Sequence, residues 1–318
     1  MAIFSERTRT KRVTYDYLFK FEDLIAERFH ADIIGQSKLK FYFLRALDMA
    51  GLNLCTFPLY PIRSRLERYS TILMCVAHPF EIPILETINY KDKKIILYII
   101  DAWEPSLTRL SSLIEKYRID IVLCGYLQAH EFLREKHKSV YWLPQGFDSS
   151  IYKDYQLEKR FTAMQAGRKH PGLHSFFLNY CKETDYIHHF IEGNIKLAEH
   201  INQSRFFGVT PLSLVNPDRA GSISPVTQRY YLGMACKAML VGFKPQSEEF
   251  NLLFADDVRM IEYKNDEQLR EELEYYLKRP DEYQKIVDRN YEFVQKNHSW
   301  ENRLLRLQEI LQKEGVLG

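Results

Sequence analysis

Apolar positions along this chain recur in two rhythms. From Tyr15 to Arg28 they return at helical spacing (Tyr15, Leu18, Phe19, Phe21, Leu24, Ile25), which predicts an amphipathic helix. A short apolar run, Ala31 to Ile34, ends at Gly35. Leu39 to Ala50 predicts a second helix, closed by Gly51 in the position that favours glycine. The rhythm then changes. Asn53 to Phe57, Thr71 to Ala77, Lys94 to Ile100, Asp120 to Cys124 and Ser139 to Leu143 are short runs rich in Ile, Leu, Val, Tyr and Cys. Apolar runs without alternation predict strands buried on both faces, as in a parallel sheet. Ser106 to Tyr117 and Ala129 to Lys136 are helical stretches between them. Strands alternating with helices predict an α/β fold.

The pattern lapses over Pro144 to Lys159, where Pro144-Gln145-Gly146-Phe147-Asp148 is rich in turn formers. A domain junction falls there. A second α/β region follows, with a strand at Phe161 to Ala166 and strands or strand ends within Ser204 to Leu214 and Met239 to Phe243. Leu173 to Lys182, Asn194 to Asn202 and Thr227 to Cys236 have helical patterns. Asp266 to Leu311 is helical, with breaks near Pro280 and His298. The expected division is residues 1–147, 148–298 and a closing helix over 299–318. Met1 to Arg12 reads as a polar, basic start with no apolar run and no secretory signal.

Composition narrows this reading. The chain has 318 residues, 46% apolar and 27% charged, which fits two folded domains and excludes global disorder. Lys and Arg number 44 against 42 Asp and Glu, a net charge of +2 that argues against dedicated nucleic-acid binding. No apolar run reaches the ~18 residues of a membrane-spanning helix. The five cysteines (Cys55, Cys75, Cys124, Cys181, Cys236) are scattered and odd in number, as expected of reduced thiols in the cytoplasm.

Candidate chemistry gathers at strand ends, where open parallel sheets bind ligands. His78-Pro79 follows the run Thr71 to Ala77, and His78 is either an acid, base or donor, or a surface histidine. Asp101-Ala102-Trp103-Glu104 ends the run Lys94 to Ile100. Asp101 suits catalysis or sugar hydroxyls, Trp103 offers an apolar face to a sugar ring, and the plainer reading of Asp101 and Glu104 is helix capping. Gly146 permits a tight turn or close approach of a ligand. Gly167-Arg168-Lys169-His170 follows the first strand of the second region, and its cations suit a phosphate as well as a solvated turn. Ser222 to Arg229 is a polar loop leading into a helix. Ser224 and Thr227 can cap that helix, its N-terminus can bind an anion, and Arg229 adds charge. Walker, dinucleotide-binding and nucleophile-elbow motifs are absent. Asp256-Asp257 reads as a solvated pair, and His188-His189 are neighbours that on a helix would diverge.

Leu143-Pro-Gln-Gly-Phe-Asp148, Gly167-Arg168 and Arg229-Tyr-Tyr-Leu-Gly-Met-Ala-Cys236 occur in an order that resembles the GT-B glycosyltransferases. Tyr275-Tyr-Leu-Lys-Arg-Pro280 and His298-Ser-Trp-Glu-Asn-Arg303 extend the likeness. Within that fold the chain is similar to group-1-like transferases, which include CgeB-type spore-maturation proteins, from about Ile33 onward. The resemblance implies two Rossmann-like domains facing a cleft, with a last helix from about Trp300 crossing back to the first. It implies sugar transfer from a nucleotide-sugar, without a metal or other cofactor and with retention, to a sugar, lipid-linked or protein acceptor. Peripheral association with a membrane stays open. On this resemblance Arg168 and Arg229 stabilise the departing diphosphate, with the helix N-terminus at Thr227. His78 or Asp101 orients or deprotonates the acceptor. Gln228 and Ser224 contact the donor, beside Gly146, Gly167, Lys169 and His170. Related retaining transferases carry two glutamates eight positions apart, where this chain has Ser224 and Leu232. Their usual glycine after the donor-site helix is Lys237 here. These departures motivate the alternative of a non-catalytic nucleotide-sugar-binding or partner protein.

Overall fold

A computed structural model describes residues 1–5, 7, 16–35, 65–77, 79–181, 185–189 and 193–317. The expected helix over 39–50, the strand over 53–57 and His78 lie outside the described residues. The chain divides into two compact units, Met1–Pro144 with Leu304–Gly318, and Gln145–Arg303.

The first unit carries β1 (Ala2–Ser5), α1 (Asp16–Phe29), β2 (Asp32–Gly35), β3 (Thr71–Val76), β4 (Lys94–Ile99), α2 (Glu104–Lys116), β5 (Ile121–Cys124), α3 (Leu127–Arg134) and β6 (Val140–Trp142). The strands form one parallel sheet in the order β2-β1-β3-β4-β5-β6. The apolar runs of β3, β4 and β5 are buried nearly throughout, as their lack of alternation predicts. The polar reading of the N-terminus is corrected here. Ala2–Ser5 is fully buried between β2 and β3, so four residues ahead of a basic stretch form an inner strand.

The second unit carries β7 (Phe161–Ala166), α4 (Pro171–Tyr180), β8 (Tyr186–His189), α5 (Asn194–Asn202), β9 (Ser204–Val209), α6 (Leu212–Val215), α7 (Pro217–Ala220) and α8 (Gln228–Ala235). Then come β10 (Met239–Gly242), α9 (Glu249–Phe254), β11 (Ile261–Glu262), α10 (Asp266–Leu277), α11 (Pro280–Asn297) and α12 (Trp300–Lys313). Its parallel sheet has the order β11-β10-β9-β7-β8. Helix α12 starts in this unit, and its residues from Leu304 onward group with the first.

Two cores cover the faces of the second sheet. Ala163 and Phe206 pack with Leu173, Phe176 and Phe177 of α4 on one face. Met164, Phe207 and Val209 pack with Tyr230, Tyr231 and Met234 of α8 on the other. The chain leaving β7 therefore crosses to one face and the chain leaving β9 to the other. This opens a crevice at their carboxyl ends, the switch point where ligands bind in such sheets.

Helix α8 ends with the Ala238 amide on the Gly233 carbonyl and the Lys237 amide on the Met234 carbonyl, a Schellman motif. Its left-handed residue is Lys237, at φ 55°, where glycine is usual. The Lys237 ammonium is anchored by Asp288 at 2.5 Å and Asp154 at 3.5 Å.

Candidate functional site

The switch point of the second sheet gathers most of the predicted residues. β7 ends at Ala166, and Gly167 turns the chain with φ 72°, a left-handed conformation that favours glycine. Arg229, the second residue of α8, reaches back to this turn. Its Nη1 donates to the carbonyls of Ala166 (3.4 Å) and Arg168 (3.2 Å). From the other side His188 Nε2 donates to the Gly167 carbonyl at 3.1 Å. His188 and His189 lie on strand β8, not on a helix.

Arg168 and Lys169 are exposed. The Lys169 ammonium donates to His174 Nε2 at 2.7 Å. His170 caps α4, accepting from the Leu173 amide at 3.4 Å, and its ring lies 4.6 Å from that of Phe243. Burial holds the His170 pKa below the usual value, so the ring is neutral at pH 7.

The loop into α8 is set from below. Thr227 occupies the N-cap position, with its hydroxyl buried and unpartnered among the described residues. The Val226 amide donates to Glu249, a buried carboxylate of α9, at 3.2 Å. Ser224 is completely buried. Its hydroxyl accepts from the Gln246 amide (2.9 Å) and from Ser213 (3.0 Å), so it organises the loop and makes no surface for a ligand. Leu232, the other position where the resemblance leads one to expect glutamate, is buried in the core.

Gln228 Nε2 donates to the Gly146 carbonyl at 3.0 Å. Trp300 packs closely on Gly146. A Cβ at residue 146 would stand 2.9 Å from that indole.

The remaining candidates sit in the first unit. Asp101 follows β4 and accepts from the Tyr126 hydroxyl at 2.8 Å. It does not cap α2, whose N-cap is Trp103 with Glu104 as first residue. Trp103 is 6% exposed and packs on Tyr126 with ring centres 4.8 Å apart, so it offers no face to a sugar. Glu22 is a feature the sequence reading missed. It is completely buried on α1, accepting from Ser5 (2.5 Å) and from Arg7 Nε (2.9 Å) at the end of β1. Burial pushes its pKa up to about 7, with the Ser5 and Arg7 bonds offsetting only part of that. The signal was present: Leu18, Phe21, Glu22 and Ile25 share one helical stripe.

Among the described residues no group of three His, Cys, Asp or Glu side chains is placed to hold a metal ion. No described helix is long and apolar enough to cross a membrane.

Two parallel α/β sheets in sequence, with the last helix shared between units, define the GT-B fold of glycosyltransferases. Residues 158–311 match the family described as glycosyl transferase-like. No curated protein matches by sequence. The fold is similar to that of Anabaena HepE solved with UDP and glucose, at 10% identity and TM-score 0.68, covering 98% of this chain and 99% of that one. Sucrose-phosphate synthase from Thermosynechococcus elongatus is similar at 10% identity and TM-score 0.63, covering 98% of each chain. The pneumococcal O-GlcNAc transferase GtfA, solved with UDP and GlcNAc, is similar at 10% identity and TM-score 0.51, over 80% of this chain and 59% of that one.

Proposed function

We propose that this protein is a glycosyltransferase that moves a sugar from a nucleotide-sugar to an acceptor hydroxyl. The observation that carries this reading is Arg229 folded around the Gly167 turn, on carbonyls of residues 166 and 168. A fixed cation, the N-terminus of α8 and the exposed Arg168 then converge on one sheet end, where an anionic ligand is stabilised. The glycosyl transferase-like domain over 158–311 and the UDP bound in HepE and GtfA support the same assignment.

In this reading the donor diphosphate lies at the β7–β9 switch point. Arg229, Arg168 and the α8 amides take up the negative charge that grows as the glycosidic bond breaks. That is the task a metal performs elsewhere, and the transfer proceeds here without one. Asp101, with its carboxylate oriented by Tyr126, serves the acceptor hydroxyl, and the anomeric configuration is retained. Ser224 takes no part at the donor. The test is incubation with UDP-glucose and a panel of other nucleotide-sugars, with and without chelator, scored by nucleotide release and by the anomer formed. Release that survives chelation supports the reading, and no release from any donor overturns transfer.

A second reading has its own observation. Ser224 and Leu232, the positions where the resemblance leads one to expect carboxylates, are buried. Tight nucleotide-sugar binding with no turnover would make the protein a binding partner and not an enzyme.

A further inference from the structure

We propose that Gln165 is a donor-binding residue whose side-chain NH2 faces the switch point of the second sheet. There it donates a hydrogen bond to a diphosphate oxygen of the nucleotide-sugar, and a relay starting at Lys169 fixes that polarity. The proposal rests on the nucleotide-sugar reading above.

The relay follows from which groups can donate. A lysine ammonium has no acceptor, so the 2.7 Å contact makes His174 Nε2 the acceptor. A neutral imidazole carries one hydrogen, which is then on Nδ1 and is donated to the Tyr186 oxygen at 2.7 Å. The Tyr186 hydrogen goes to Gln165 Oε1 at 2.6 Å. His174 is kept neutral by its surroundings: burial first, then the charge of Lys169 from the β7 loop and of His188 from β8. Tyr186 is the other group facing it, with ring centres 5.6 Å apart. The amide oxygen of Gln165 is thus engaged, and its NH2 is turned the other way.

The place of that NH2 is set by the sheet. Gln165 is 2% exposed and pairs in register with Gly208 of β9. Its side chain lies across that glycine: a Cβ at residue 208 would stand 2.5 Å from Gln165 Cγ and 3.0 Å from Nε2. The bare backbone of Gly208 lets the amide span the β7–β9 junction. Among the described residues no acceptor partners Nε2, and it is not one of their fully buried atoms, so it can donate to a ligand oxygen. A phosphate oxygen carries no hydrogen, so it matches an NH2 and is repelled by a carbonyl. If Lys169 did not donate, the His174 hydrogen could sit on Nε2. Tyr186 would then donate to Nδ1, and the Gln165 amide would turn its oxygen towards the ligand.

The test uses UDP as probe and the full-length protein, with binding by calorimetry, melting temperature, and 15N spectra of labelled histidines. Gln165→Met should weaken UDP about tenfold, as loss of one bond to a charged group does, and Gln165→Glu more than that. Lys169→Met should weaken UDP and also move His174 from the Nδ1–H to the Nε2–H tautomer. Lys169→Arg, which still donates, should restore both. The tautomer separates loss of the relay from loss of a nearby charge. If wild type binds UDP and both Gln165 variants bind it equally well, the contact is wrong while the donor-site reading stands. An unchanged His174 tautomer in Lys169→Met overturns the relay. No UDP binding by wild type, alongside binding of no other nucleoside diphosphate, overturns the donor-site reading and this assignment with it.

Discussion

At the end of β1 the guanidinium of Arg7 meets the carboxylates of Glu22 and Asp23, whereas at the end of β7 that of Arg229 meets the carbonyls of Ala166 and Arg168. The two sheets are built alike, all parallel, each with a strand order that reverses at its second strand. What differs is the partner of the cation. A carboxylate neutralises an arginine, so the pair holds structure together. Carbonyls hold a guanidinium in place through its hydrogens without adding a countercharge of their own. Position in the fold therefore marks both edges, but only the chemistry of the partner separates a strut from a site.

The sharpest test of that contrast exchanges the two arginines in turn. Arg229→Ala should lower turnover, or nucleotide affinity, by about 10²–10³-fold, the usual loss of a preorganised charge beside a developing anion. Its melting temperature should stay near that of wild type. Arg7→Ala should do the reverse, lowering the melting temperature and leaving nucleotide affinity alone, because Glu22 would remain buried without its cation. Steady-state kinetics and calorimetric melting of both variants decide it. Equal effects of the two on nucleotide binding would abolish the distinction.

The next test is pH. Glu22 has a folded pKa of about 7 against 4.5 for a free carboxyl. The folded state thus holds a proton more tightly, and the Glu22 contribution is full below pH 4.5 and lost as pH rises to 7. A displacement of that size corresponds to on the order of 3 kcal/mol. Glu22→Gln should remove this dependence. His298 in the second unit has the opposite sign. Burial, and then the guanidinium of Arg303 bonded to its Nδ1 at 2.8 Å, push its pKa down to about 3. Its unfolded state binds the proton more tightly, so this contribution is full above pH 6.5 and is lost as pH falls towards 3. From pH 6.5 to 5 the loss is about 2 kcal/mol. Urea unfolding of wild type, Glu22→Gln and His298→Asn at pH 5 and 6.5 should show slopes that diverge in opposite directions. Parallel slopes would mean that neither group is held as described.

Much of this was legible in the sequence, and the gaps have physical causes. Long apolar runs announced β3, β4 and β5 because inner parallel strands are covered on both faces. β1 escaped because four residues, Ala2–Ser5, carry too short a pattern, and their inner position comes from pairing with residues 32–35 and 72–74. The Gly167-Arg168 turn and Arg229 were legible as residue types at the ends of elements. Their meeting across 60-odd residues was not, since Arg229 chooses its carbonyls only once α8 is packed. Ser224 and Trp103 misled for one reason: a polar or aromatic side chain in a loop reads as available, and burial removes both. Tyr186 went unread, and His188 was read only as one of two neighbours that a helix would point apart, because β8 is a four-residue strand whose partners lie in β7 and α4.

The smallest effect expected is at Lys237, which carries the comparison into the second unit itself. Here a cation is again paired with carboxylates, Asp288 and Asp154, and again the pairing is structural. The left-handed backbone at φ 55° costs a non-glycine residue about 1 kcal/mol, and the part-exposed ion pair returns up to about 1 kcal/mol. Lys237→Gly removes both terms and adds the entropy that glycine gains when unfolded, about 0.5–1 kcal/mol. Its stability should therefore lie within about 1 kcal/mol of wild type. Lys237→Ala keeps the strain and loses the pair, so it should be the less stable variant despite alanine's stiffer unfolded chain. Chemical denaturation of the two variants, with UDP affinity as control, is the measurement. Alanine more stable than glycine would show that the backbone strain is absent, and a change in UDP affinity would show that a carboxylate-paired cation of this unit reaches the ligand after all.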